Sequence, residues 1–322
     1  MRHVLAVRLW TLAGIGALAA HASAQTTLFS NSGNTQTTGL ATGAVSDSGV
    51  NAPAGFEWSE LQQDSIFSAN ALGGASATAW GTDGAQRLTD DFTVQGAFGW
   101  TLHTLVVFAY QPGAAGDVSP FSGINVKIWR GRPGDLGSTV IWGDAATNRL
   151  SSTEPTNLFR VFSTTMTPLP PAPDTGKRIW RIAASLGGLN LPPGDYWVDW
   201  QLTDVTGSGE AFAPTVIVPG ARGRAGANAM QLRQFDGLWA PINDSGKPSS
   251  AADVTQELAF QLLGDGISCP ADFDGDGFLT GVDFDEFIIA FEAGEMTSDF
   301  DRDGFVTGSD FDAYVVAFEQ GC

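Results

Sequence analysis

Two acidic segments 27 residues apart near the C-terminus constrain this chain more than any other feature. The first runs Asp272-Phe273-Asp274-Gly275-Asp276-Gly277-Phe278-Leu279-Thr280-Gly281-Val282-Asp283, and the second runs Asp299-Phe300-Asp301-Arg302-Asp303-Gly304-Phe305-Val306-Thr307-Gly308-Ser309-Asp310. Counted from the first Asp, both place carboxylates at positions 1, 3, 5 and 12 and Gly at position 6. A tightly turning backbone points alternate side chains at a common centre. Gly permits the turn, and the carbonyl at position 7 adds an uncharged oxygen. Such an all-oxygen cage suits a hard divalent cation, calcium above all. The spacing predicts two ions. Asp272, Asp274, Asp276, the Phe278 carbonyl, Asp283 and, through water, Thr280 would hold one. Asp299, Asp301, Asp303, the Phe305 carbonyl, Asp310 and, again through water, Thr307 would hold the other.

Each loop runs into an apolar stripe at i, i+3, i+4 and i+7: Phe284, Phe287, Ile288 and Phe291, then Phe311, Tyr314, Val315 and Phe318. That period describes one face of a short helix, and neither helix could hide its aromatic face alone, so the two stripes should pack together. Gly294 and Gly321 follow where left-handed helix C-caps belong. The only two cysteines, Cys269 and Cys322, bracket both repeats, a placement that predicts a disulfide worth about 4 kcal/mol in the chain-entropy model. From Cys269 onward the chain carries 14 acidic residues against one base, Arg302, while the whole chain stands at −19. Without a cation those loop carboxylates repel one another, so this module should fold only with metal. A chain of this charge without a basic patch is a poor partner for nucleic acid.

The loop-then-helix unit, used twice with Asp at position 12 and without the entering helix of a full EF-hand, resembles the type I dockerin over roughly the last 54 residues. The resemblance implies a small α-helical, calcium-folded module that docks a secreted protein onto a cohesin-like or cell-surface partner, in the company of polysaccharide-degrading enzymes. The chain departs from the family at its partner-reading positions. Gly281-Val282 and Gly308-Ser309 stand where the family favours hydroxyls, and Ile288-Ile289 and Val315-Val316 stand where it favours a basic pair. These departures favour a structural or sorting tag over cohesin docking.

Residues 1–24 read as a secretory signal peptide: a basic start at Arg2 and Arg8, an apolar run over 9–20, and Ala22-Ser23-Ala24 for cleavage. No later segment is long and apolar enough to span a membrane. The expected product is secreted, extracellular or at the cell surface, with a domain over 25–266 and the calcium module over 267–322.

The long region is rich in Gly, Thr, Ser and Trp and lacks amphipathic helices. Strand-like runs lie at 100–110, 124–129, 158–163, 178–183, 196–202, 215–218 and 257–263. In the second, Ile124, Val126 and Ile128 oppose Asn125, Lys127 and Trp129. In the fifth, Tyr196, Val198, Trp200 and Leu202 oppose Trp197, Asp199 and Gln201. Turn signals separate such runs at Arg132-Pro133-Gly134-Asp135, Pro192-Pro193-Gly194-Asp195 and Asp236-Gly237. The pattern predicts a mainly β, antiparallel β-sandwich, jelly-roll-like and of one large domain, with two tandem smaller sandwiches as the alternative. Residues 25–53 read as loosely ordered, and 167–177 as a surface loop.

For chemistry the region offers little. His103 is the one histidine after residue 24 and sits on an apolar strand, and no P-loop, dinucleotide fingerprint or HExxH is present. Catalytic residues are therefore none by sequence. The alternative, a glycoside hydrolase, would draw on Glu57, Glu60, Glu154, Glu210 and Glu257. Thr89-Asp90-Asp91-Phe92 offers two adjacent carboxylates for a cation at a sheet rim. Nine tryptophans follow residue 24, and Trp129, Trp197 and Trp239, on the polar side of their patterns or beside turns, are candidates for stacking on sugar rings. The expectation is a non-catalytic protein that binds extracellular material, carbohydrate included, through the sandwich.

Overall fold

The computed structural model describes residues 25–62, 75–76, 86–96, 98–114, 116–165, 172–207, 210–233, 235–246, 250–267 and 269–321. Residues 1–24, read above as a signal peptide, and Cys322 lie outside the described residues, as do residues 167–171 of the expected 167–177 loop. The first strands are β1 (Thr26–Ser30), β2 (Glu57–Glu60), β3 (Ala75–Ser76), β4 (Arg87–Val94), β5 (Trp100–Ala109), β6 (Phe121–Arg130), β7 (Thr139–Gly143) and β8 (Leu150–Val161). There follow β9 (Arg178–Leu191), β10 (Gly194–Asp204), β11 (Phe212–Ala213), β12 (Met230–Leu232), β13 (Trp239–Pro241), β14 (Asn243–Asp244), β15 (Val254–Thr255) and β16 (Phe260–Gly266). Helices α1 (Gly281–Ala293) and α2 (Gly308–Gln320) close the chain, with a 3-10 turn at Met296–Ser298 between them. No described helix is long and apolar enough to cross a membrane.

Six alternating positions of β6 and β10 show why the fold is mainly β. Ile124, Val126 and Ile128 pair across the ladder with Leu202, Trp200 and Val198, and all six are essentially unexposed. They belong to a sheet ordered β13-β12-β4-β10-β6-β7, antiparallel throughout. A second six-stranded sheet runs β1-β16-β5-β9-β8-β2. Its inward residues, Leu105 and Val107 of β5, Trp180 and Ile182 of β9, and Phe260 and Leu262 of β16, join those of the first sheet in one buried cluster. Trp200 and Phe260 meet across it at 6.0 Å between ring centroids.

Three expectations change. The second sheet is mixed, because β2 pairs with β8 in parallel: the long excursion from Leu61 to Leu150 lets the chain return on the same heading, which a tight hairpin forbids. Residues 25–53 are not loosely ordered. β1 pairs with β16 at the sheet edge, Leu40 is wholly buried, and Asn31 bonds the Asp90 carboxylate at 2.7 Å. Residues 215–218 form isolated bridges rather than a strand: Thr215 pairs Leu258, and Val218 folds back on Ala221. The predicted turn at Arg132 does form, with the Asp135 N–H donating to the Arg132 carbonyl at 3.1 Å.

Trp200 carries the greatest packing load on β10, fully buried between the sheets. Trp200→Ala should lower stability by about 3–5 kcal/mol, as deletion of a large core aromatic does. Denaturant titration would register this as a lower midpoint at nearly constant slope.

Candidate metal centre

Each acidic loop builds the N-terminus of the helix that follows it. The Thr280 hydroxyl accepts the Val282 N–H at 3.1 Å, while the Asp283 carboxylate accepts the Thr280 N–H at 2.7 Å. Thr307 accepts from Ser309 at 3.2 Å, and Asp310 accepts from Thr307 at 2.7 Å. Both are capping boxes, satisfying main-chain donors that have no acceptor inside the helix. The position 9 hydroxyls thus serve the helix ends.

The turn itself requires left-handed backbone at position 6, supplied by Gly277 at φ +91° and Gly304 at φ +93°. Position 4 is left-handed too, as Gly275 at +73° in the first loop and as Arg302 at +62° in the second. With that backbone fixed, side chains and amides interlock. Gly277 N–H donates to Asp272 Oδ2 at 3.0 Å, Asp276 N–H to Asp274 Oδ1 at 2.9 Å, and Phe278 N–H to Asp276 Oδ1 at 2.8 Å. The second loop repeats each bond: Gly304 to Asp299 Oδ2 at 3.0 Å, Asp303 to Asp301 Oδ1 at 3.0 Å, and Phe305 to Asp303 Oδ1 at 2.9 Å.

In both loops the other oxygen of the first Asp, Asp272 Oδ1 and Asp299 Oδ1, is buried and receives no hydrogen bond. Ligand atoms of Asp272, Asp274 and Asp276 lie within 4.8 Å of one another, as do those of Asp299, Asp301 and Asp303. A buried carboxylate oxygen with no donor is costly, and a cation bound among three carboxylates removes that cost. The donors are all hard oxygens, so these residues fit calcium.

Asp283 and Asp310 are wholly buried but stand outside the two trios. Burial pushes the Asp283 carboxyl up, yet the N–H groups of Thr280, Asp274 and Phe273 together hold it below the usual carboxylate range. The Thr307 and Asp301 N–H groups hold Asp310 down in the same way. Both stay ionised, as a position 12 ligand must.

Behind the loops lies an aromatic core with approximate twofold repetition. Phe287 and Tyr314, equivalent positions of the two repeats, stack face to face at 3.8 Å and 5°. Phe273 and Phe300, at position 2 of each loop, meet that pair edge-on at 5.5 and 5.4 Å. Phe284 contacts Phe318 and Phe291 contacts Phe311, so the helices run antiparallel with their stripes together, as expected. Tyr314 donates its hydroxyl to the Ala271 carbonyl at 3.1 Å, and burial pushes its pKa up to about 12. The role of Phe273 and Phe300 went unread in the sequence, although their repetition at one loop position was the available signal. Gly294 adopts the expected left-handed cap, with φ 67° and ψ 29°. Gly321 has positive φ but extended ψ and is not such a cap. Cys269 is disulfide-bonded and buried under this core.

A third acidic group, Asp90, Asp91 and Glu257, gathers between β4 and the start of β16, with ligand atoms also within 4.8 Å. It differs from the loops in kind. Asp90 takes bonds at both oxygens, from Asn31 Nδ2 at 2.7 Å, Leu258 N–H at 2.9 Å and Asp91 N–H at 3.0 Å. It is a buried brace joining β4 to the segments after β1 and before β16. Burial, with Glu257 beside it, pushes its carboxyl well up. Burial and then the Asp91 charge push Glu257 up to about 7, against the lowering influence of Arg224, Asn31 and the Asn228 N–H.

The remaining sequence candidates are placed as follows. Trp129, Trp197 and Trp239 all lie in the β13-β12-β4-β10-β6-β7 sheet, and Trp129 and Trp197 are cross-strand partners. Trp197 is 8% exposed with the Arg132 guanidinium over its ring, and Trp129 donates its indole N–H to Asp199 at 3.1 Å. Trp239 packs beside Gly134, in the turn after β6. Of these three, Trp129 and Trp239 keep partly open faces and Trp197 does not. Asp199, fully buried on the outer side of β10, bonds Arg87 at 2.5 Å. Glu60, on the edge strand β2, is buried: its carboxylate accepts from Asp47 N–H at 2.8 Å and from Thr164 N–H and hydroxyl, each at 2.6 Å. Glu154 lies 3.7 Å from Arg181. No family model, curated protein or solved structure matches this chain.

The carboxyl brace makes a signed prediction. Glu257 holds a proton in the folded chain above 4.5, its ordinary value, and up to about 7, where the unfolded chain has released it. Its contribution to stability is therefore complete below the unfolded value and is lost as pH rises through about 7. With chelator present, the thermal midpoint followed by tryptophan emission should fall between about pH 5 and about pH 8, and Glu257→Gln should flatten the fall. An unchanged slope in that variant would contradict the assignment.

Proposed function

We propose that this chain is an exported, non-catalytic protein in which a jelly-roll-like β-sandwich binds extracellular material and a C-terminal dockerin-like module, folded by two calcium ions, docks or anchors it. The observation that carries the metal half is the pair of orphaned buried oxygens, Asp272 Oδ1 and Asp299 Oδ1, at equivalent places in two interlocked acidic turns. Asp272, Asp274, Asp276, Asp283 and the Phe278 carbonyl would hold one ion. Asp299, Asp301, Asp303, Asp310 and the Phe305 carbonyl would hold the other. The ions supply the positive charge that lets each group of carboxylates converge. The chain's own residues then do the structural work: the capping boxes start both helices, and the helices bring Phe287 onto Tyr314.

Exposed apolar side chains at repeat-related positions support a docking role. Phe278 and Phe305 are 66% and 70% exposed, and Ile289 and Val316 are 68% and 50% exposed. Ile289 walls an open groove of about 530 Å³ whose other residues include Pro270, Phe273, Ala290, Glu286 and Glu295. Apolar surface left open on so small a module is characteristic of a contact face. For the sheets, two six-stranded layers sharing one core support a sandwich, and the partly open Trp129 and Trp239 support a sugar-stacking surface. The basic start and cleavage pattern of residues 1–24 supports export.

Calorimetric titration of the full chain with calcium should give two sites, with Asp272→Asn and Asp299→Asn each weakening one. No heat, or titrations identical in all three proteins, would refute the metal half. Pull-down on insoluble polysaccharides should retain the chain and lose it in a Trp129→Ala, Trp239→Ala double variant. Equal recovery of both proteins would remove carbohydrate from the proposal.

A further inference from the structure

The turn between β4 and β5 carries a phenylalanine that belongs to neither sheet. Phe98 packs against the buried cluster of Cys269, Ala271, Phe287 and Tyr314, the aromatic core that the acidic loops enclose. Gly99 has φ +89°, and a Cβ there would stand 2.0 Å from the Leu191 carbonyl oxygen, so the backbone lies directly on the end of β9. The Gly99 carbonyl accepts the Ile267 N–H at 2.9 Å, which ties the strand leaving β16 to the same turn just before Cys269. One turn thus both receives the chain passing into the helical module and inserts a ring into that module's core.

We infer that Phe98 couples the two parts, so that calcium binding in the C-terminal loops stabilises the sheets as well as the helices. The coupling rests on the calcium assignment above and adds to it a direction of transmission. If the core around Phe287 and Tyr314 is assembled only when the loops are charge-neutralised, Phe98 has an apolar seat only then. Coupling free energies are reciprocal: sheets that seat Phe98 must also tighten calcium binding by the same factor. Ligand that binds only the assembled module raises the stability of whatever unfolds with it.

The distribution of chromophores makes this separable. All nine tryptophans after residue 24 precede residue 240, whereas Tyr314 is the one tyrosine beyond residue 267. Tryptophan emission therefore follows the sheets, and the near-ultraviolet circular dichroism difference between native and Tyr314→Phe proteins, the Tyr314 signal, follows the module. In the full chain, calcium should raise the tryptophan-monitored melting temperature over that in chelator. Phe98→Ser should abolish that rise and weaken calcium affinity roughly 5-fold while the Tyr314 signal still responds to calcium. Phe98→Leu, which keeps an apolar side chain in the seat, should retain most of the rise and guards against a simple folding defect. If calcium alters the Tyr314 signal but leaves the native chain's tryptophan melt where chelator puts it, the coupling is refuted and the metal assignment stands. An equal rise in native and Phe98→Ser proteins also refutes the coupling. If neither signal responds, both fail.

Discussion

Everything distinctive about the C-terminal part of this protein follows from carboxylates held closer together than their charges allow. Three Asp side chains in each loop converge, with further buried Asp residues at the helix starts, and main-chain amides satisfy most of their oxygens. They do not satisfy Asp272 Oδ1 or Asp299 Oδ1. Amide donors fix the shape of each turn but add no net positive charge, and a cation held there would complete what the hydrogen bonds begin. Once the turns close, Thr280 and Thr307 cap the helices, and the helices hide rings that could not be hidden singly.

The contrast with Asp90 shows that acidic clustering alone is not the criterion. Ligand atoms of Asp90, Asp91 and Glu257 lie within 4.8 Å of one another, as those of the loop trios do, yet Asp90 is served by Asn31, Leu258 and Asp91 donors at both oxygens, and burial pushes its carboxyl up. Buried carboxyls of that kind join strands. What suits a cation in the loops is a donorless buried oxygen gathered with two further carboxylates. The outer side of β10 follows the first pattern again, with Asp199 bonded to Arg87 and Trp129.

The loops and their helices were legible because ligand spacing and a 3.6-residue period are written directly into neighbouring residues. Phe273 and Phe300 were missed because an aromatic between two ligands reads locally as spacer. Their edge-on contacts depend on two repeats meeting in space. The Thr at position 9 reads as a ligand through water, and in the fold its hydroxyl also caps the helix, a second role that the ligand spacing does not announce. Strands with apolar alternation, β6 and β10 above all, could be read from the sequence. β4 could not, because Thr89 and Asp90 are buried polar residues whose partners lie far along the chain. β1 was hidden in a Thr- and Ser-rich stretch that becomes ordered by edge pairing with β16, and the parallel β2–β8 pair leaves no local mark at all. The tryptophans were visible, but not that Arg132 would cover Trp197.

Amide hydrogen exchange across α1 and α2 of the full chain, in calcium and in chelator, tests the central claim most directly. Slow exchange through both helices with calcium, giving way to near-random-coil rates in chelator while β6 and β10 stay protected, is the predicted result. Helices equally protected under both conditions would mean that the carboxylates need no cation, and would contradict the account.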